Sequence, residues 1–281
     1  MALPADKLGT RYEQRTAVVD ARQPRAYAAA TNDDNPAYRD GLVAPPVFGV
    51  VPTWEATMTA LVDLVPPESM PMLLHAGQDM RFHRPVVPGM TLVTAVEPYN
   101  IRPTRAGTWM TLRVMSEDER GDLVLEQFAT MFIRGLQSPE SGGRDKPDHS
   151  FPASARQAKV AEVTSHIDAD QTFRYGDASG DDNRIHVDDE FARSVGLPGI
   201  IVHGLCTMAM CGAAVVDTVA GGDPVRLKRL AVRFSKQVLP DSDLVTSIHA
   251  VGHDSGLAVY AFEATSRGDR VIRDGRAEVA G

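Results

Sequence analysis

The chain has 281 residues, 43% of them hydrophobic and 23% charged, with a formal net charge of −8. That length suits one large domain or two of about 140 residues, and the apolar share excludes wholesale disorder. No run approaches the ~20 apolar residues of a spanning helix, Met1–Arg15 lacks the apolar core of a secretory signal, and the acidic balance argues against a nucleic-acid-binding surface. Cys206 and Cys211 are the only cysteines, too few for a disulfide framework. The expectation is a cytoplasmic protein with reduced thiols and neither a nucleic-acid nor a membrane partner.

In chain order, Asp20 is the first expected helix N-cap, opening a short helix that ends before Asp33-Asp34-Asn35. A longer apolar helix follows over roughly Gly49 to Leu64, closed by Pro66-Pro67. Met110–Met115 and Leu123–Ile133 have the β-rich character of strands. Leu136–Pro152, rich in Gly, Pro, Ser and charge, cannot build a core and reads as a linker.

Beyond it the order repeats. Asp168 is the second expected N-cap, and a helix from about His203 to Val219 ends at Gly221-Gly222. Leu257–Thr265 is the clearest strand of this half. Residues 20–35 match residues 168–183 at eight of sixteen positions, at an offset of 148. Arg81–Thr94 matches Arg233–Thr246 in the same order, sharing Arg, Phe, Val, Pro, Leu, Val and Thr. A duplicated module results: 1–135, a linker over 136–157, and 158–281. Both long helices are apolar around most of their circumference, the mark of a buried helix. One buried helix followed by several antiparallel strands implies a curved sheet wrapped around it, an α+β fold.

The informative segment is Ala178-Ser-Gly-Asp-Asp-Asn-Arg-Ile-His-Val-Asp188, followed by Gly196–Met208. Asp181 and His186 lie five residues apart across a turn-prone stretch. Such a turn can bring a carboxylate and an imidazole to one water, which general acid–base catalysis requires. The same cluster also reads as an ordinary solvated turn with a histidine packed beside it. His203-Gly204 then opens the buried helix, where unpaired N–H groups and the positive dipole end can hold a carbonyl oxygen. Gly204 has no side chain to keep a substrate from its backbone. A calcium loop fails on spacing, because Ile185 stands at the fifth position from Asp181. Zinc fails too: Cys206 and Cys211 point in different directions on one helix and read as core residues. Neither a nucleophile elbow, a P-loop nor a dinucleotide fingerprint is present.

Asp181-Asp182-Asn183-Arg184-Ile185-His186-Val187-Asp188, with Val202-His203-Gly204-Leu205, closely resembles the hydratase motif of the MaoC-like family. These are (R)-specific enoyl-CoA hydratases and (R)-3-hydroxyacyl-thioester dehydratases of fatty acid metabolism. The resemblance covers essentially the whole chain and implies a double hotdog, in which one chain imitates a dimer. It implies Asp181 and His186 as the catalytic pair, Asn183 as the holder of the turn, and the backbone N–H of Gly204 as the oxyanion donor. The family usually has proline after the asparagine; here Arg184 stands there, which loosens the turn or alters its entrance. In the first module Tyr38 aligns with His186 and Phe48-Gly49 with His203-Gly204, while Asp33 and Asn35 survive. A phenol with an ordinary pKa near 10 is a poor proton shuttle, so this module is expected to be inactive and to shape the acyl groove or serve as scaffold.

The resemblance implies reversible hydration of trans-2-enoyl thioesters with neither metal nor redox cofactor, the CoA or phosphopantetheine arm being part of the substrate. It implies acyl-CoA, acyl-carrier protein or both as partners, and it is compatible with a homodimer. Two rivals stand beside it: a thioester hydrolase of hotdog fold, and a non-catalytic acyl-thioester binding module.

Overall fold

The computed structural model describes residues 3–281; the first two residues of the expected 1–135 module lie outside the described residues. Strand β1 (Arg15–Val18) precedes helices α1 (Gln23–Ala30) and α2 (Pro36–Arg39). Next come α3 (Trp54–Leu64) and strands β2 (Leu73–Phe82), β3 (Thr91–Thr104), β4 (Gly107–Glu117), β5 (Leu123–Arg134) and the short β6 (Gly142–Gly143). The second half carries β7 (Lys159–Ile167), α4 (Gln171–Ser179), α5 (Arg184–Val187), α6 (Asp189–Ser194) and α7 (Gly204–Val219). It ends with β8 (Leu227–Phe234), β9 (Ser242–Asp254), β10 (Leu257–Ser266) and β11 (Asp269–Val279).

Two compact units emerge, and each is discontinuous in sequence. The first comprises the chain up to Val18, Pro52–Arg84 and Met90–Asp148. Its strands pair antiparallel in the order β1-β3-β4-β5-β2. Helix α3 packs Ala56, Ala60, Leu61 and Leu64 against Val96, Ile101, Met110, Leu112, Val114, Ala129 and Met131. These residues alternate along β4 and β5, and on β3 the irregularity between Pro98 and Asn100 returns Ile101 to the face of Val96, so one sheet face meets the helix.

The second unit comprises Val19–Val51, Pro85–Gly89 and His149–Gly281. Thus Val19–Val51, which belongs to the first repeat in sequence, packs with the second. Its strands pair antiparallel in the order β8-β11-β10-β9-β7. Two-residue turns join β9 to β10 and β10 to β11; both central residues of each have positive φ, at Ser255-Gly256 and Arg267-Gly268. That is the turn whose twist matches antiparallel strands, and glycine at its second place makes it accessible. Helix α7 is buried on most sides and lies close to β8: a Cβ on Gly212 would meet Leu230 at 3.0 Å.

Helix ends differ from the sequence expectation in the first half. The long helix begins at Trp54, not Gly49; Pro46–Val50 forms a 3₁₀ segment instead. Pro52 lacks the amide donor that a helix continuing from Gly49 needs there. Nor are Asp20 and Asp168 the capping residues. The caps are Arg22 and Asp170, while Asp20 accepts the Arg22 N–H one turn earlier, at 2.8 Å. The second long helix starts and ends where the sequence placed it, with His203 as cap and Gly221-Gly222 following.

Residues 136–157 contain little regular structure yet are fastened. Strand β6 pairs with β3, Arg102 donates to the Gly142 carbonyl at 2.6 Å, and His149 bonds the Asp274 carbonyl through Nδ1 at 2.6 Å.

Candidate active site

Helix α4 stops at Gly180, whose φ of +78° is left-handed. Two local hydrogen bonds then shape the turn. The Asp181 amide donates to Ser179 Oγ at 3.2 Å, and the Asn183 amide to Asp181 Oδ1 at 3.3 Å. Asn183 caps α5, its Oδ1 accepting from the Ile185 amide at 3.3 Å. Its side chain is exposed and faces the turn's own backbone. Arg184, in the place of the family's proline, is held by Asp188 at 2.6 Å and lies over the Phe191 ring at 4.2 Å. The cap has φ −55° and ψ 124°, against −52° and 126° for Asn35, which precedes Pro36. The two caps thus have the same conformation, with Arg184 paired to Asp188 where the first repeat has Pro36.

The capped turn carries His186 inward, where it is buried. Its Nδ1–H donates to the Ile201 carbonyl at 2.7 Å. A carbonyl can only accept, so the neutral ring keeps its lone pair on Nε2. Val202 is tied to the Val238 carbonyl at 2.8 Å, and His203 caps α7. His203 Nε2–H donates to the Asp181 carbonyl at 3.0 Å, and its ring stacks on His186 with centroids 3.8 Å apart at 25°. One donor-type side-chain atom from each of Asp181, His186 and His203 lies within 4.8 Å of the other two. The chain thus brings together a carboxylate and an imidazole that are five residues apart in sequence, and sets them beside the first turn of α7.

Burial sets the charges. It raises the Asp181 pKa, against the pull of His186. It lowers that of His186, against the Ile201 carbonyl and the Asp181 charge. His203 is driven down to about 3 by burial and by His186 beside it. Burial thus moves the proton affinities of the carboxyl and the imidazole toward each other, and the two charges act on one another. Gly204 is the first residue of α7 and presents one of the N–H groups that a helix leaves without an internal partner. Phe234 flanks it: a Cβ on Gly204 would stand 3.3 Å from that ring.

Asp181, His186 and His203 are donor types that hold metals. Their placement suits one poorly. Nearly parallel rings direct their in-plane lone pairs side by side, not at one tetrahedral centre. Cys206 and Cys211 are buried core residues, their thiols pushed up to about 12 by burial.

The first repeat folds into the same turn without the imidazole. Asp33 Oδ1 accepts the Asn35 amide at 3.2 Å, and Asn35 caps α2. Burial, with Asp217 and Asp34 nearby, raises Asp33 to about 6. Tyr38 is fully buried, and its hydroxyl finds no hydrogen-bond partner among the described residues. Phe48 meets Tyr27 edge-on at 5.7 Å, and at the aligned position His203 meets Tyr175 at 4.8 Å with the rings tilted by 45°. Sequence alone places His203 in the motif without a role of its own, and gives none to Tyr175 or Tyr27. The signal was present, because Tyr27 and Tyr175 are among the identities of the repeat.

Comparison with known proteins gives the family. Residues 150–269 match the MaoC like domain, and residues 6–127 the FAS1-like dehydratase domain region. The chain is 34% identical over 220 residues to 3-hydroxyacyl-thioester dehydratase Y of Mycobacterium tuberculosis, covering 74% of this chain and 73% of the relative. It is 27% identical to the peroxisomal enoyl-CoA hydratase 2 of Arabidopsis thaliana, over 64% of this chain and 61% of that one. The chain thus spans about 60% of the length of the Arabidopsis and Dictyostelium relatives it matches. A MaoC-like dehydratase from Phytophthora capsici superposes with a TM-score of 0.87 at 26% identity, covering 99% and 98% of the two chains. A Mycobacterium tuberculosis protein described as a double hotdog superposes at 0.65 with 15% identity, covering 96% and 95%, a likeness of fold alone. With one sequence match per half and one fold over its whole length, the chain belongs to the MaoC-like dehydratase family, in its double hotdog form.

Proposed function

We propose that the protein catalyses reversible syn addition of water to a trans-2-enoyl thioester, giving the (R)-3-hydroxyacyl thioester. The observation that carries this reading is the convergence of Asp181 and His186 beside Gly204 at the start of α7. The Gly204 N–H donates to the thioester oxygen, at the positive end of the helix, where enolate charge develops as water attacks C3. Asp181 and the bare Nε2 of His186 hold that water. Its oxygen bonds to C3, the pair accepts its proton, and the pair returns a proton to C2. Atoms and charge balance without a redox group. Asn183 keeps the turn in shape.

Asp33 and Tyr38 perform no proton transfer in this scheme, because Tyr38 replaces the imidazole and its phenol is raised further by burial. The substrate handle is CoA, the carrier named in the Arabidopsis relative, with acyl-carrier protein sharing the same arm; a homodimer is compatible with the fold. Two buried free thiols suit a reducing compartment such as the cytoplasm. No described helix is long and apolar enough to cross a membrane.

Incubation with crotonyl-CoA and a longer trans-2-enoyl-CoA tests the reading. Loss of enoyl absorbance with formation of the (R)-alcohol, absent in His186→Ala, is the expected result. Release of free CoA moves the protein to the thioester hydrolases, and binding without turnover to the acyl-thioester binding modules.

A further inference from the structure

We infer that His203 is a positioning residue for this site: its Nε2–H fastens the backbone of Asp181 while its ring forms the platform on which His186 lies. The inference rests on the hydration reading above. His203 is 1% exposed and is the capping residue immediately before Gly204. It donates to the Asp181 carbonyl at 3.0 Å, stacks on His186 at 3.8 Å, and is backed by Tyr175 at 4.8 Å. One side chain thereby links the carboxylate-bearing turn, the imidazole and the helix start that presents the amide.

Packing alone does not require an imidazole here. Phe48 fills the aligned place in the first repeat and makes the corresponding ring contact with Tyr27, with no polar atom. Moreover His203 Nδ1 is buried without a partner among the described residues, which costs stability that a phenyl ring would not. What imidazole adds over phenyl is one donor, and that donor is spent on Asp181. The ring stays neutral in this setting, so it adds no positive charge against His186.

His203→Phe keeps the platform and removes the donor; His203→Gln keeps a donor at nearly the same place and removes the platform. His203→Phe should lower kcat on an enoyl-CoA about 10- to 100-fold and leave KM within about threefold. His203→Gln, with the donor but not the platform, should recover part of the lost kcat and not all of it. A His203→Phe enzyme with undiminished kcat overturns the inference, as does a His203→Gln enzyme no better than it. Ring-nitrogen NMR of the unaltered protein gives a second readout that needs neither variant nor substrate. Nε2 protonated and Nδ1 bare through neutral pH is expected; the opposite tautomer or a charged ring overturns the inference. If the unaltered protein leaves every enoyl-CoA unchanged, the hydration reading falls, and the NMR result still decides the placement of His203.

Discussion

The hydroxyls of Tyr27 and Tyr175 meet at 3.2 Å in the interior, although 148 residues separate them in sequence. That separation equals the repeat offset, so the same position of two repeats pairs with itself. Each ring also touches the residue before its own repeat's aligned glycine, Phe48 in one case and His203 in the other. The duplication is therefore visible as a local two-fold relationship around α1 and α4. On one side it carries the Asp181–His186 pair, and on the other a turn of the same shape without an imidazole.

Each of these hydroxyls has the other as its partner, so a stability test follows. Tyr27→Phe or Tyr175→Phe alone leaves a buried hydroxyl unpaired and should cost about 1–3 kcal/mol, whereas the double variant should lie closer to the parent. Thermal melting of the four proteins checks this. Additive losses in the double variant would show that the hydroxyl pair contributes nothing.

The two turns make a matched experiment on activity. Asp181→Asn and His186→Ala should each lower turnover by about 10²–10⁴-fold, the usual worth of a positioned acid or base, with circular dichroism unchanged. Asp33→Asn and Tyr38→Phe should stay within a few-fold of the parent. Tyr38→Phe removes a buried hydroxyl that has no partner among the described residues, so it should also leave the melting temperature undiminished. Near-normal turnover by Asp181→Asn would sink the catalytic assignment.

Much of this was legible in the residues. The repeat, the second helix from His203 to Val219 and the strand over Leu257–Thr265 follow from identities and periodicity that local chemistry enforces. The turn containing Asp181 and His186 was legible because Asn183 supplies its own cap within two residues. The start of the first long helix was less so: Pro52 breaks it, but apolar residues on both sides hide the break. Least legible was His203. Its partners, the Asp181 carbonyl and the His186 ring, lie 22 and 17 residues away in sequence, and no spacing rule joins them. The grouping of Val19–Val51 with the second half was equally hidden, since it depends on tertiary contacts between α1 and α4.

Asp33 gives a pH test that is independent of activity. Its carboxyl is raised from 3.8 to about 6, chiefly by burial. The folded state therefore binds the proton more tightly than the unfolded chain does. That contribution is fully present below pH ~4 and is lost as pH rises through about 6. Asp33→Asn removes the ionised form and keeps an oxygen for the Asn35 amide. It should raise the melting temperature at pH 7–8 by a few degrees, corresponding to about 1–2 kcal/mol after allowance for partial exposure. Near pH 4 the two proteins should melt together. An equal difference at both pH values would show that Asp33 ionisation is not its source.

Gly204 separates catalysis from stability most cleanly. Alanine suits a helix better than glycine by roughly 0.5–1 kcal/mol, but here its methyl would meet the Phe234 ring at 3.3 Å. The ring must yield by a few tenths of an ångström, so the two effects largely offset and the melting temperature should change little. The same methyl stands beside the amide that the thioester oxygen must reach. A displaced oxygen loses a hydrogen bond that strengthens as enolate charge builds. Gly204→Ala should therefore lower kcat/KM on enoyl-CoA by about 10²-fold, at the lower end of the worth of an oxyanion donor. Phe234→Leu in the same chain relieves the ring contact without uncovering the amide, so it should not restore activity. If activity does return, the glycine serves packing against Phe234 and the oxyanion donor must be sought elsewhere on the first turn of α7.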